Sequence, residues 1–280
     1  MVRPMELVRT GTLEIAYERE GEGPPLVFAH GAVSDGREWR PQLAGLADEF
    51  TVVAWDEPGA GRSSALPPGF GLADYATCLA AVIEAVGLGP AHVGGLSWGG
   101  IVALELYRRH PERISTLILA DTYAGWKGSL PEDERRARME GLRRVLEAPE
   151  ANGDFAAAFP GLFAAGPPPE CAALLEEIAA DVRFESVRSM LAMAEVDQRD
   201  VLPRVSVPTL LIWGELDVRS PLGVAHQFRD AIPGAELVVI PGAGHVSNLE
   251  RPEAFNQAVR EFCRAHPPRT ATDAAERPGG

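Results

Sequence analysis

The sequence predicts an α/β fold, a mostly parallel sheet covered by helices, with a helical block inserted late in the alternation. Three observations predict it. Short runs rich in Val, Ile, Leu and Ala alternate with longer amphipathic stretches. Most of the later runs are nearly continuously apolar, as strands covered on both faces should be. From about Gly125 to Arg199 the strand signal stops and only helical patterns remain, separated by Gly and Pro.

Taken in order, the strand candidates are LEIAYERE, PLVFAHG, TVVAWDEPG, AHVGGLS, STLILADT, PTLLIWGELD and AELVVIPGAGH. Between them, Leu72 to Ala85, Gly99 to Arg109, Pro221 to Ala231 and Pro252 to Ala265 carry helical spacing. Inside the interrupting block, PEDERRARMEGLRRVLEA places acids before arginines, which complements a helix dipole. GPPPECAALLEEIAADV opens on prolines and turns amphipathic, and RFESVRSMLAMAEVDQRD follows with apolar residues at helical spacing. Residues 125–199 therefore read as a helical cap on a core formed by 1–124 and 200–266. The polar, Pro/Gly-rich stretch 267–280 reads as a disordered tail.

Composition narrows the function classes. A chain of 280 residues, 46% hydrophobic, can bury a substantial core. Its formal charge is −14 and its basic residues are scattered, which argues against nucleic acid or anionic membrane as a partner. The first twenty residues hold no apolar signal-peptide core and no stretch approaches a membrane span. Cys78, Cys171 and Cys263 are too few and too scattered for a disulfide framework or a zinc site, so they read as reduced thiols in a cytoplasmic protein.

The segment VGGLSWGG, Val93 to Gly100, crowds one serine with four glycines. Glycine gives up packing and backbone entropy, so four in eight residues need a reason. Gly95 to Gly99 fits the G-x-S-x-G nucleophile elbow, in which a strand turns sharply into a helix and holds the serine strained at the apex. AHVGG reads as the strand end and GGIVALELYRRHPERI as the helix.

A serine hydroxyl needs a base. Of the six histidines, His226 lies in a helical pattern, His266 borders the tail, His110 ends a helix, His92 precedes the elbow strand and His30 ends an early one. His245, in the glycine-bearing loop PGAGHVSNLERP, is the candidate. The acid that would orient it is Asp217 in GELDVRSP, with Asp121 after STLILA as the alternative. Asp217 completes a chain order of Ser97, Asp217, His245. Two backbone N–H groups are also needed for a developing oxyanion; Trp98, after the serine, and Ala32, after the His30-Gly31 turn, are the candidates.

Together these residues resemble the α/β-hydrolase superfamily, in its cap-bearing serine branch, over about residues 12 to 265. WDEPGAGRSS matches that family's D-x-x-G-x-G-x-S turn through Asp56, Gly59, Gly61 and Ser63, with Asp56 and Arg62 expected to fix loops. IPGAELVVIPGAGHVSNLERPEAFNQAVREF resembles the corresponding part of 3-oxoadipate enol-lactonases and small esterases. The resemblance implies an eight-stranded sheet with the cap after the sixth strand, and hydrolysis of a small ester or lactone without metal or organic cofactor. Ser97, where haloalkane dehalogenases and epoxide hydrolases carry aspartate, argues against those relatives. C–C bond hydrolases, cofactor-free haloperoxidases or perhydrolases, and small-molecule receptors on the same fold stay open as alternatives. Within the cap, Phe155, Phe159, Phe163, Met190 and Met193 are spaced as apolar faces, and most are expected to be cap core. Trp126, Met193 and Arg219 are the candidate substrate contacts, Arg219 for a substrate carboxylate. A monomer or homodimer is expected.

Overall fold

A computed structural model describes residues 5–147, 160–183 and 191–268 of the chain. Eight strands form one sheet: β1 (Met5–Thr10), β2 (Leu13–Glu20), β3 (Pro25–Ala29), β4 (Thr51–Trp55), β5 (Ala91–Leu96), β6 (Ile114–Ala120), β7 (Thr209–Gly214) and β8 (Glu236–Ile240). Their order across the sheet is β1-β2-β4-β3-β5-β6-β7-β8. Only the pairings of β1 with β2 and β2 with β4 are antiparallel. The helices are α1 (Arg40–Leu46), α2 (Leu72–Val86), α3 (Trp98–Arg109), α4 (Trp126–Ser129), α5 (Glu132–Glu147), α6 (Ala172–Asp181), α7 (Leu222–Ala231), α8 (Ser247–Glu250) and α9 (Pro252–Ala265).

Side-chain alternation divides the core into two layers. On β3, Val27 and Ala29 face a cluster built with α2, α3 and α7, including Leu79, Val102 and Phe228. Leu26 and Phe28 face the other way, into a cluster with Leu43 of α1 and Phe255, Val259 and Phe262 of α9. Both faces of the central strands are thus covered, which explains their unbroken apolar runs.

Two strands depart from the sequence reading. Met5–Thr10 is the eighth strand, absent from the runs picked out above. It is an edge hairpin partner with Leu7 52% exposed, so it shows no buried stripe to read. At the opposite edge, β8 looks like a buried strand by composition yet leaves Val238 and Val239 partly open to solvent.

The described part of the insertion after β6 holds α4, α5, a 3-10 turn at Pro169–Cys171, and α6, joined by turns and irregular stretches. It is pinned to the loop after β3 by charge: buried Arg37 pairs with Asp35 beside it and with Glu177 and Asp181 of α6. Arg183 donates to the carbonyls of Gly61 and Ser63. Phe155, Phe159 and Met190 lie outside the described residues, as does 269–280 of the expected tail.

Candidate active site

The elbow comes first. Ser97 sits between β5 and α3 with φ 52° and ψ −111°, in the positive-φ region that a non-glycine residue occupies under strain. The flanking glycines are there for want of space: a Cβ on Gly95 would stand 2.3 Å from the Gly99 carbonyl carbon, and one on Gly99 would stand 2.1 Å from the Ala29 carbonyl oxygen. Any side chain at either position would drive the strand end and the helix start apart.

β7 and β8 then deliver the other two members. His245 Nε2 is 3.0 Å from Ser97 Oγ, and His245 Nδ1 is 2.9 Å from Asp217 Oδ2. The second Asp217 oxygen accepts the backbone N–H groups of Arg219, at 2.8 Å, and Ser220, at 2.9 Å, so the carboxylate is fixed at both oxygens. All three residues are buried. Burial holds the His245 imidazole below its ordinary pKa against the pull of Asp217, with Arg219 and Arg138 reinforcing the drop. Asp121 takes no part in this chain. It accepts the Gly214 N–H and the Ser247 hydroxyl, bracing β7 against the His245 loop, and burial followed by repulsion from Asp217 raises its pKa.

On the other side of Ser97 lies the turn after β3. Ala32 lines the same cavity as Ser97 and His245, and the preceding Gly31 N–H donates to Glu38 at 2.9 Å. Trp98 opens α3, where the first backbone N–H groups have no acceptor within the helix. Its indole turns inward and donates to Glu57 at 2.6 Å.

Ser97 and His245 share one cavity with the turn after β3. Leu96, Leu162, Phe163, Leu175, Ile178 and Leu249 make most of its wall, with Ser34, Glu38 and Arg219 as polar points beyond Ser97 and His245. Arg219 reaches it with one guanidinium nitrogen on the Pro160 carbonyl at 3.1 Å and its Nε buried without a partner. Among the described residues no carboxylate pairs with it, and burial lowers its pKa. Trp126 and Met193, the other two candidate contacts, lie elsewhere. Neither lines the cavity; both are buried in the core, with the Arg138 guanidinium 5.6 Å over the Trp126 ring. Phe163 does line it.

Asp56 and Arg62 hold loops as expected, through paired contacts of 2.7 and 2.9 Å. Three buried acids escaped the sequence reading. Glu38 holds Gly31, Glu57 holds Trp98, and Glu250 accepts the N–H of Gly244 at 2.8 Å and of Ala164 at 2.9 Å, tying the His245 loop to the insertion. An acid in a polar-looking loop reads as a solvated charge, and only the fold reveals that it is buried. Among the described residues no cluster of three or more His, Cys, Asp or Glu side chains could hold a metal ion, and no helix is long and apolar enough to cross a membrane.

This fold and this relay can be set beside known proteins. The model of the alpha/beta hydrolase family matches residues 26–258. The chain belongs to the alpha/beta hydrolase family. A solved thermophilic esterase from Thermogutta terrifontis is 33% identical to this hydrolase, with a TM-score of 0.80 over 94% of this chain and 99% of the other. The enol-lactonase from Burkholderia xenovorans LB400 is 25% identical, with a TM-score of 0.73 over 92% and 100%. RutD of Azorhizobium caulinodans is 31% identical to the hydrolase over 269 residues, 92% of this chain and 98% of that protein.

Proposed function

We propose that this hydrolase cleaves a small carboxylic ester or lactone through an acyl-enzyme on Ser97. The observation that carries the reading is the unbroken chain Asp217–His245–Ser97 opening onto a mostly apolar cavity. Ser97 Oγ attacks the acyl carbonyl carbon as its proton passes to His245 Nε2, and Asp217 holds the resulting imidazolium. The oxyanion is met by the amides of Ala32 and Trp98. Collapse breaks the acyl–oxygen bond, and the leaving alkoxide takes the proton from His245. Water then attacks the acyl-enzyme, giving its proton to His245, and Ser97 recovers that proton as the acid departs.

The esterase and enol-lactonase among its relatives support the same reading. The apolar wall suits a modest hydrocarbon acyl group. Arg219, a cation on the wall whose guanidinium forms no ion pair among the described residues, suits a substrate that itself carries a carboxylate. The test is intact mass after exposure to a fluorophosphonate, for wild type and Ser97→Ala in parallel. One adduct on wild type alone is expected, with esters and lactones turned over only by that form. An unlabelled wild type, or turnover surviving Ser97→Ala, overturns the assignment.

A further inference from the structure

Glu57, in the turn after β4, touches both arms of the proposed oxyanion site and no part of the relay. Its backbone N–H donates to His30 Nε2 at 3.1 Å. That nitrogen is therefore an acceptor, which places the imidazole proton on Nδ1, and Nδ1 donates to the Gly31 carbonyl at 2.8 Å. The Gly31 carbonyl and the Ala32 N–H belong to one peptide group, and the peptides here are trans, so the two point in opposite directions in one plane. Holding the carbonyl from behind aims the Ala32 N–H forward. On the other arm, the Glu57 carboxyl accepts the Trp98 indole N–H at 2.6 Å, while Tyr75 packs edge-on against that indole with ring centroids 5.4 Å apart. Trp98 is the residue whose own amide is the second donor.

We infer that Glu57 is a positioning residue that sets the two oxyanion donors relative to each other, the Ala32 amide through His30 and the Trp98 amide through its indole. The inference rests on the proposed acyl-enzyme reading. Its geometry is economical: one buried residue, 1% exposed, fixes two groups that sit on different elements and must converge on one oxygen. The second carboxyl oxygen, Oε1, is buried with no partner among the described residues, so the side chain is held in place chiefly by the indole. A carboxyl kept in such surroundings is an expensive way to fill space, and leucine would fill it as well.

The experiment compares Glu57→Leu, Glu57→Gln, Trp98→Phe and the Glu57→Leu/Trp98→Phe double variant with wild type, on an ester that wild type turns over. Each variant is first checked for folding by circular dichroism. Glutamine keeps an acceptor for the indole and should stay within about threefold of wild type. Leucine and phenylalanine each break the contact and should lower kcat by about 10- to 100-fold, the scale expected when a catalytic group is misplaced by an ångström or less. KM should move less than threefold, because the donors act on the transition state. Inhibition by a phenylboronate, whose serine adduct presents a tetrahedral oxygen to the same donors, should weaken in parallel with kcat. The double variant should be no slower than the slower single. A folded Trp98→Phe or Glu57→Leu with wild-type kcat overturns the inference, as does a loss confined to KM or a Glu57→Gln as slow as Glu57→Leu. Fluorophosphonate labelling of wild type, run alongside, separates the two levels: with Ser97 labelled and the variants unaffected, only the role of Glu57 falls. Without that label the acyl-enzyme reading falls, and this inference with it.

Discussion

His245 Nε2 meets Ser97 Oγ at 3.0 Å across 148 residues of chain, and nothing local brings them together. The contact depends on β5, β7 and β8 ending at the same edge of the sheet. Each depends in turn on the parallel register that pairs Gly94 and Gly95 with Ile118 and Leu119, and Ile212 with Val238.

Removing the hydroxyl should separate chemistry from stability. Ser97→Ala is expected to lower kcat/KM by a factor on the order of 10⁴ or more while leaving the thermal midpoint close to wild type. Alanine inherits the positive φ, whereas Ser97→Gly relaxes it and should be more stable than Ser97→Ala by about 1 kcal/mol. Calorimetry on the two inactive variants measures that difference, and equal midpoints would mean the elbow stores no strain.

The pH profile should report His245. The base must be neutral to take a proton, and burial holds its pKa below 6.5. The acid limb of kcat/KM is therefore expected below pH 6.5, with no further gain from this group above it. A limb above pH 7 would contradict the assignment.

Two glycine-to-alanine changes should act with opposite signs. Gly99→Ala places a Cβ against the Ala29 carbonyl, fixed backbone that cannot move aside, and should destabilise by several kcal/mol or prevent soluble expression. Gly141→Ala, within α5 and with no atom beyond its own stretch of helix inside 4 Å of the new Cβ, should stabilise by about 0.5–1 kcal/mol. Urea midpoints for both, compared with wild type, check the pair.

Glu57 should make stability depend on pH in a defined window. Burial pushes its carboxyl from 4.5 up to about 7, against the Trp98 hydrogen bond. The folded state thus prefers the protonated form. Its contribution is full below pH 4.5 and is lost as pH rises through 7. Glu57→Gln, which cannot ionise, should gain on wild type between pH 5 and pH 8, by up to about 3 kcal/mol. A stability difference independent of pH would show that the carboxyl titrates normally.

Arg219→Gln should raise KM for an ester bearing a carboxylate by about tenfold while leaving a neutral ester of similar size nearly unaffected. Equal effects on both substrates would remove Arg219 from recognition.

The relay residues were legible because their surroundings are written in local chemistry. Glycines around Ser97, a glycine loop around His245 and a strand-end Asp217 each need a particular backbone, and backbone demands leave a mark on sequence. Choosing Asp217 over Asp121 rested on chain order, and the structure gives a physical basis: Asp121 has both oxygens engaged by Gly214 and Ser247. The place of Trp126 and Met193, buried in the core, was not legible, because an aromatic and a thioether suit a pocket wall and a core equally well. Glu38, Glu57 and Glu250 were invisible for the converse reason. Their partners are backbone or indole N–H groups, some six or seven residues away and others 41 and 86, and no pattern of residue types announces those bonds.

β8 is the last strand of the sheet, paired on one side only and with Val238 and Val239 partly open to water. The loop that carries His245 hangs from it. Sheet margins are where a protein first comes apart on warming, well before its centre gives way. Heat inactivation of this hydrolase should therefore run ahead of its melting, with hydrolysis fading while the circular dichroism of the central strands persists. Its working life at elevated temperature would then be decided by that margin, and grafting a ninth strand or a better-packed edge there would lengthen it more than any repair to the core.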